Sequence, residues 1–91
     1  MQDQLMYDIV STNHNMLVPW YLRAAYAYYH LDDPIISDAA FDDIAKKLLD
    51  NYNEVEHRHK CLITKGDLRA GSLLLKEEEY PRIVVGSLTI Y

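Results

Sequence analysis

Apolar residues recur at helical spacing through the first half of the chain and at alternating positions near its end. Between Gln2 and Thr12, Leu5, Met6, Ile9 and Val10 fall on one stripe, which predicts an amphipathic first helix that Asn13 and Asn15 can end. The run LVPWYLRAAYAYYHL, Leu17 to Leu31, is Ala-rich and carries Pro19 where a first helical turn tolerates it, so it predicts a second helix. Asp32, Asp33 and Pro34 stop that helix, because proline forces the residue before it out of the α region. Ser37 or Asp38 then caps a third helix over about residues 37–53, with Phe41, Ile44, Ala45, Leu48 and Tyr52 on its core stripe. Trp20, Leu22, Phe41, Ile44 and Leu48 are the expected core, with the second and third helices antiparallel across the turn.

Beyond Glu54 the period weakens. NEVEHRHKCLITKGDLRAG predicts a charged helix end and a short turn or helix near Asp67 to Ala70 that Gly71 closes. SLLLKEEEY fits helix or strand equally. Pro81 holds Tyr80 extended, and RIVVGSLTIY after it alternates and is rich in Val, Ile and Thr, so it predicts a strand interrupted by Gly86. A strand needs a partner, supplied by Leu73 to Leu75 as a hairpin or by the same strand of a second chain. The expected fold class is mainly α with a small C-terminal β element, in a single domain over 1–91: a helical core over 1–60 and an extended tail over 61–91.

Composition narrows the function. Ninety-one residues form one modest core and leave no room for a deep multi-substrate cleft. The net charge of −5 supplies no positive field for a phosphate backbone, so direct nucleic-acid binding is not expected. A single Cys61, no long apolar run and no basic-then-apolar leader place the chain in a reducing cytoplasm, away from membranes. His57, His59 and Cys61 alternate, which would bring them together on a strand but spreads them around a helix, and they fall short of four zinc ligands, so no metal is expected. His14 and His30 have no serine, cysteine and carboxylate set beside them, and Gly66, Gly71 and Gly86 lie too far apart for a phosphate loop.

The composition is unusual in its eight tyrosines, and the stretch YAYYHLDDPIISDAAFDDI holds several of them beside a cluster of aspartates. Asp38 and Asp42, four apart, face the same way beside Phe41, in a first helical turn whose free N–H groups favour negative charge. Helix-dipole complementation by the aspartates and core filling by the tyrosines account for much of this pattern.

As a spaced run of Tyr28, Tyr29, Asp32, Pro34, Ile36, Asp38, Phe41, Asp42 and Ile44, the stretch resembles the N-terminal Ia domain of bacterial NAD-dependent DNA ligases, over about residues 17–50. The resemblance implies a helical domain that closes over the nicotinamide mononucleotide half of NAD. It assigns Tyr28 and Tyr29 to stacking near the nicotinamide, and Asp38, Phe41 and Asp42 to the facing wall. The chemistry agrees, since the nicotinamide ring is a cation that aromatic faces and carboxylates stabilise. Phe41 stands where the family has tyrosine, and Asp43 where a basic or polar residue is common, which would make phosphate approach less favourable. The family's adenylated lysine, in Lys-x-Asp-Gly, has no counterpart: TKGDL puts Gly66 straight after Lys65 and Asp67 after that.

Two functions follow as expectations. One is a non-catalytic module that recognises nicotinamide mononucleotide or NAD, alone or completing a ligase supplied by another chain. The other is a small interaction or inhibitory protein of a phage or mobile element, which reuses the helical scaffold to engage a host enzyme, the ligase included, without ligand. Homodimerisation through the C-terminal strand is a further expectation.

Overall fold

The computed structural model of the protein describes residues 2–57, 59–70 and 77–89. Helix α1 is Asp3–Thr12, α2 is Leu17–Tyr29, α3 is Asp38–Asp50, α4 is Lys65–Ala70 and α5 is Arg82–Thr89. In α1 only Met6 and Val10 are buried, one helical turn apart, while Leu5 is half exposed. A shift of one residue rotates a side chain by about 100°, which carries Leu5 off the inward stripe expected of it. Asn13 ends α1 by returning its N–H to the Ile9 carbonyl, and its side-chain oxygen accepts from the Asn15 N–H to start a 3-10 turn over His14–Met16.

Helix α2 is the centre of the fold. Leu17, Val18, Trp20, Tyr21, Leu22, Ala24, Ala25, Tyr26 and Ala27 are all buried, so the helix is apolar on nearly every side and its neighbours must cover it. Arg23 lies over the Trp20 ring at 4.5 Å, which lets one charged side chain share this packing. The helix stops at Tyr29, two residues before the expected Leu31, because Asp32 takes a left-handed φ of 51° that turns the chain back. Aspartate tolerates that conformation better than most residues, and the Asp33 N–H then reaches the Ala27 carbonyl at 3.1 Å.

Helix α3 starts at the Ser37 cap, whose hydroxyl accepts from the Ala40 N–H at 3.2 Å. Ala40, Ile44, Ala45 and Leu48 are buried, and α3 packs against both α2 and α4. The helix ends at Asp50, short of the expected 53, where Asn51 donates both its N–H and its side-chain amide to the Lys47 carbonyl. Tyr52 then anchors the following segment: its hydroxyl donates to the Ile63 carbonyl at 2.6 Å, and Lys60 donates to the carbonyls of Tyr52 and Val55. Helix α4 begins at Lys65, where Thr64 and Asp67 exchange side-chain to backbone hydrogen bonds of 3.1 Å, a reciprocal cap. This cap is the structural use of the TKGDL string.

The C-terminal segment corrects the expected fold class. Residues 82–89 form a helix, and among the described residues there is no strand. Burial explains the difference. Tyr80 and Val84 are buried four residues apart against α2, while Arg82 and Ile83 face solvent, a helical repeat that alternation cannot produce. Without a neighbouring edge, RIVVGSLT gains more by packing one face on α2 than by extending, and Pro81 suits the position just before a helix because it needs no N–H partner. The expected dimer through a C-terminal strand loses its basis with the strand. The proposed hairpin partner, Leu73 to Leu75, lies outside the described residues.

Candidate functional site

The turn between α2 and α3 brings Tyr28, Tyr29, Asp38, Phe41 and Asp42 around one cavity of about 140 Å³. These are the residues that the sequence reading picked out. Tyr28 and Tyr29 occupy the last turn of α2, and Asp38, Phe41 and Asp42 the first turn and a half of α3. Both tyrosines remain substantially exposed, at 47% and 41%, whereas most other large apolar side chains of α2 are covered. Their rings meet edge to face at 5.0 Å and 88°. Tyr28 also lies 6.3 Å from the Phe41 ring. Phe41, expected in the core, is only half buried, because its ring forms the floor of this cavity.

Behind Phe41 stands Tyr21, which the sequence reading did not assign to the site. Its ring centroid is 5.1 Å from that of Phe41, so the floor is two aromatic layers thick. The Tyr21 hydroxyl is buried with no hydrogen-bond partner among the described residues, and burial raises its pKa. The seven-residue spacing of Tyr21 and Tyr28 on one helix face was the signal that could have revealed it. Tyr80 was missed as well. Its ring packs edge-on against Tyr26 at 5.0 Å and His30 at 5.3 Å, bracing the end of α2 that carries Tyr28 and Tyr29. Burial, then the neighbouring Tyr29, pushes the Tyr80 phenol up to about 12.

The turn itself is clamped from α1. The Asp3 carboxylate accepts from the Ser37 N–H and hydroxyl, and the Gln2 N–H donates to the Ile35 carbonyl at 2.7 Å. Asp43, whose charge was expected to bear on the site, points elsewhere. It accepts from the Tyr7 hydroxyl at 2.7 Å and is not a lining residue. That bond pushes the Tyr7 phenol up to about 12.

The cavity therefore presents aromatic faces on one wall and two exposed carboxylates on the other. Such a set attracts a flat cation: the rings supply quadrupole attraction and the carboxylates supply charge and hydrogen-bond acceptors. Elsewhere, the His57 and His59 rings lie 5.3 Å apart, tilted by 45°, and the His57 ring nitrogen accepts from the His59 backbone N–H. Among the described residues no group of three or more His, Cys, Asp or Glu side chains could hold a metal ion. Among them, too, no helix is long and apolar enough to cross a membrane.

The family model of the DNA ligase-like, N-terminal NAD+-binding domain matches residues 9–66, well over half of the chain and all of the cavity's lining. The chain belongs to this family. Within the NAD+-binding domain family it is similar to a DNA ligase of Halothermothrix orenii, with 49% identity over 39 residues. That match takes in 43% of this chain and 5% of the ligase, so the chain spans a small fraction of its relative's length. No solved structure matches it. α5 and the Tyr80 brace lie beyond the span that the family model covers.

Proposed function

We propose that this domain binds the nicotinamide mononucleotide portion of NAD, with the pyridinium ring against Tyr28, Tyr29 and Phe41 and with Asp38 and Asp42 facing its charge and its ribose or carboxamide groups. The observation that carries the reading is the convergence of these side chains on one cavity inside the family-matched span. Each element has a chemical task. The aromatic rings attract the cation and exclude water from one of its faces, and the carboxylates neutralise it and accept its hydrogen bonds. The cavity is open on one side and too small to enclose a whole dinucleotide, which fits a module that holds one end of NAD while another domain or chain closes on the rest. Adenylate transfer would then be the work of that other part, because the Lys-x-Asp-Gly motif that carries the family's adenylated lysine is absent from this sequence.

Titration of the isotope-labelled chain with nicotinamide mononucleotide, followed by nuclear magnetic resonance, tests the reading. Signals of Tyr28, Tyr29, Asp38, Phe41 and Asp42 should shift together, and Asp42→Asn should weaken binding by about tenfold, the worth of one charge-assisted contact. Unchanged spectra at millimolar ligand would defeat it. A second reading rests on the exposure of Tyr28, Tyr29 and Leu31 at the same corner, an apolar patch that a protein partner could cover. Under that reading the ligand shifts nothing, and Tyr28→Ala or Tyr29→Ala abolishes capture of a partner by the immobilised chain.

A further inference from the structure

A second cavity, of about 320 Å³, lies among the ends of α1 and α3 and the start of α2. Val10, Ser11, His14, Leu17, Lys47 and Asn51 line it. It is independent of the first. Lys47 and Asn51 each stand nine positions along α3 from Asp38 and Asp42, and at about 100° per residue nine positions place them on the opposite side of the helix. Its chemistry is also the reverse. The first cavity is lined by two carboxylates and no cation, whereas the described lining of the second holds an ammonium and an imidazole and no carboxylate.

We propose that this cavity is a binding site for a small carboxylate with an apolar body. Val10 and Leu17 belong to the buried core and supply the apolar floor. The Ser11 hydroxyl donates to the Asp8 carbonyl at 3.1 Å, and one N–H of the Asn51 amide donates to the Lys47 carbonyl at 2.8 Å, which leaves its second N–H for a ligand. Selection for negative charge falls to the Lys47 ammonium, with the His14 imidazole and the remaining Asn51 N–H as neutral hydrogen-bonding groups beside it. The Lys47 side chain is exposed, and its ammonium lies 4.9 Å from the Tyr7 ring, a cation–π contact that favours this placement at the rim. One effect opposes the site: α1 and α3 both end here, and helix C-termini carry partial negative charge. A full charge on Lys47, in the last turn of α3, offsets those partial charges, so selection for an anion rests on the ammonium's own N–H donors at close range and not on a net positive field.

The probe is benzoate, with benzamide as its neutral counterpart of the same shape, titrated into the full chain and followed by amide resonances. Benzoate should shift Ser11, His14, Leu17 and Asn51 saturably and leave Tyr28 and Asp42 unmoved, and benzamide should bind at least about tenfold more weakly. Lys47→Met should abolish the benzoate shifts while the remaining spectrum reports an intact fold, and Lys47→Arg should restore them. Equal binding of benzamide, or an undiminished response in Lys47→Met, overturns the proposal. So does silence towards benzoate, which would leave Lys47 with the helix-end role alone.

Discussion

The carboxylate of Asp3, in the first turn of α1, accepts hydrogen bonds from both the N–H and the hydroxyl of Ser37, the cap of α3, at 2.8 and 2.7 Å. The same hydroxyl accepts from the Ala40 N–H, so one serine joins two helices and starts the one that carries Asp38, Phe41 and Asp42. Positions 34 residues apart thereby fix the turn that forms the first cavity.

Ser37→Ala removes the cap and should lower stability by about 1 kcal/mol in chemical denaturation. The clamp also titrates. The Ser37 hydroxyl, then its N–H, hold the Asp3 carboxyl below its ordinary value of 3.8. A lowered folded-state pKa means that the contribution is complete above the ordinary value and is lost as pH falls through the folded one. Asp3→Asn should flatten that acid limb of the stability profile, and an unchanged limb would show that the clamp is idle.

Tyr7 should be among the last tyrosines to ionise. Its hydroxyl donates to Asp43, which raises its pKa from 10 to about 12. A raised folded-state value gives stability that is complete below the ordinary pKa and lost as pH climbs through the folded one. Ultraviolet titration of phenolate should lose one late-ionising group in Tyr7→Phe, and the alkaline limb of the stability profile should shift accordingly.

If the nicotinamide ring stacks as proposed, Tyr28→Phe should bind nicotinamide mononucleotide nearly as well as the parent, and Tyr28→Ala about threefold more weakly. An exposed cation–π contact is worth about 0.5–1 kcal/mol and needs the ring, not the hydroxyl. Calorimetry that ranks the two variants the other way would locate the ligand elsewhere.

Gly86 separates helix from strand in the C-terminal segment. It lies inside α5, and a Cβ built on it meets nothing within 4 Å. Gly86→Ala should therefore stabilise the protein by about 0.5–1 kcal/mol, because alanine loses less backbone freedom in a helix. A lower thermal midpoint would argue against a helix there.

The sequence by itself determined the three long helices and which residues meet around the first cavity. Those segments have strong 3.6-residue periods, with Asn13, the Asp32 to Pro34 turn and Ser37 as local stops and starts, and such signals act within a few residues of where they stand. The aromatic and acidic residues fall on the two sides of one short turn, so their convergence followed from local geometry once both helices were known. Tertiary structure decided the rest. RIVVGSLT has strand-like composition, yet the uncovered face of α2 offered a helix somewhere to bury Tyr80 and Val84 and offered a strand no edge to join. Phe41 left the core because it floors a cavity, Asp43 turned to Tyr7, and Asp3 found Ser37. Each of these depends on which elements meet in space, and contacts between distant residues leave no period along the chain to read.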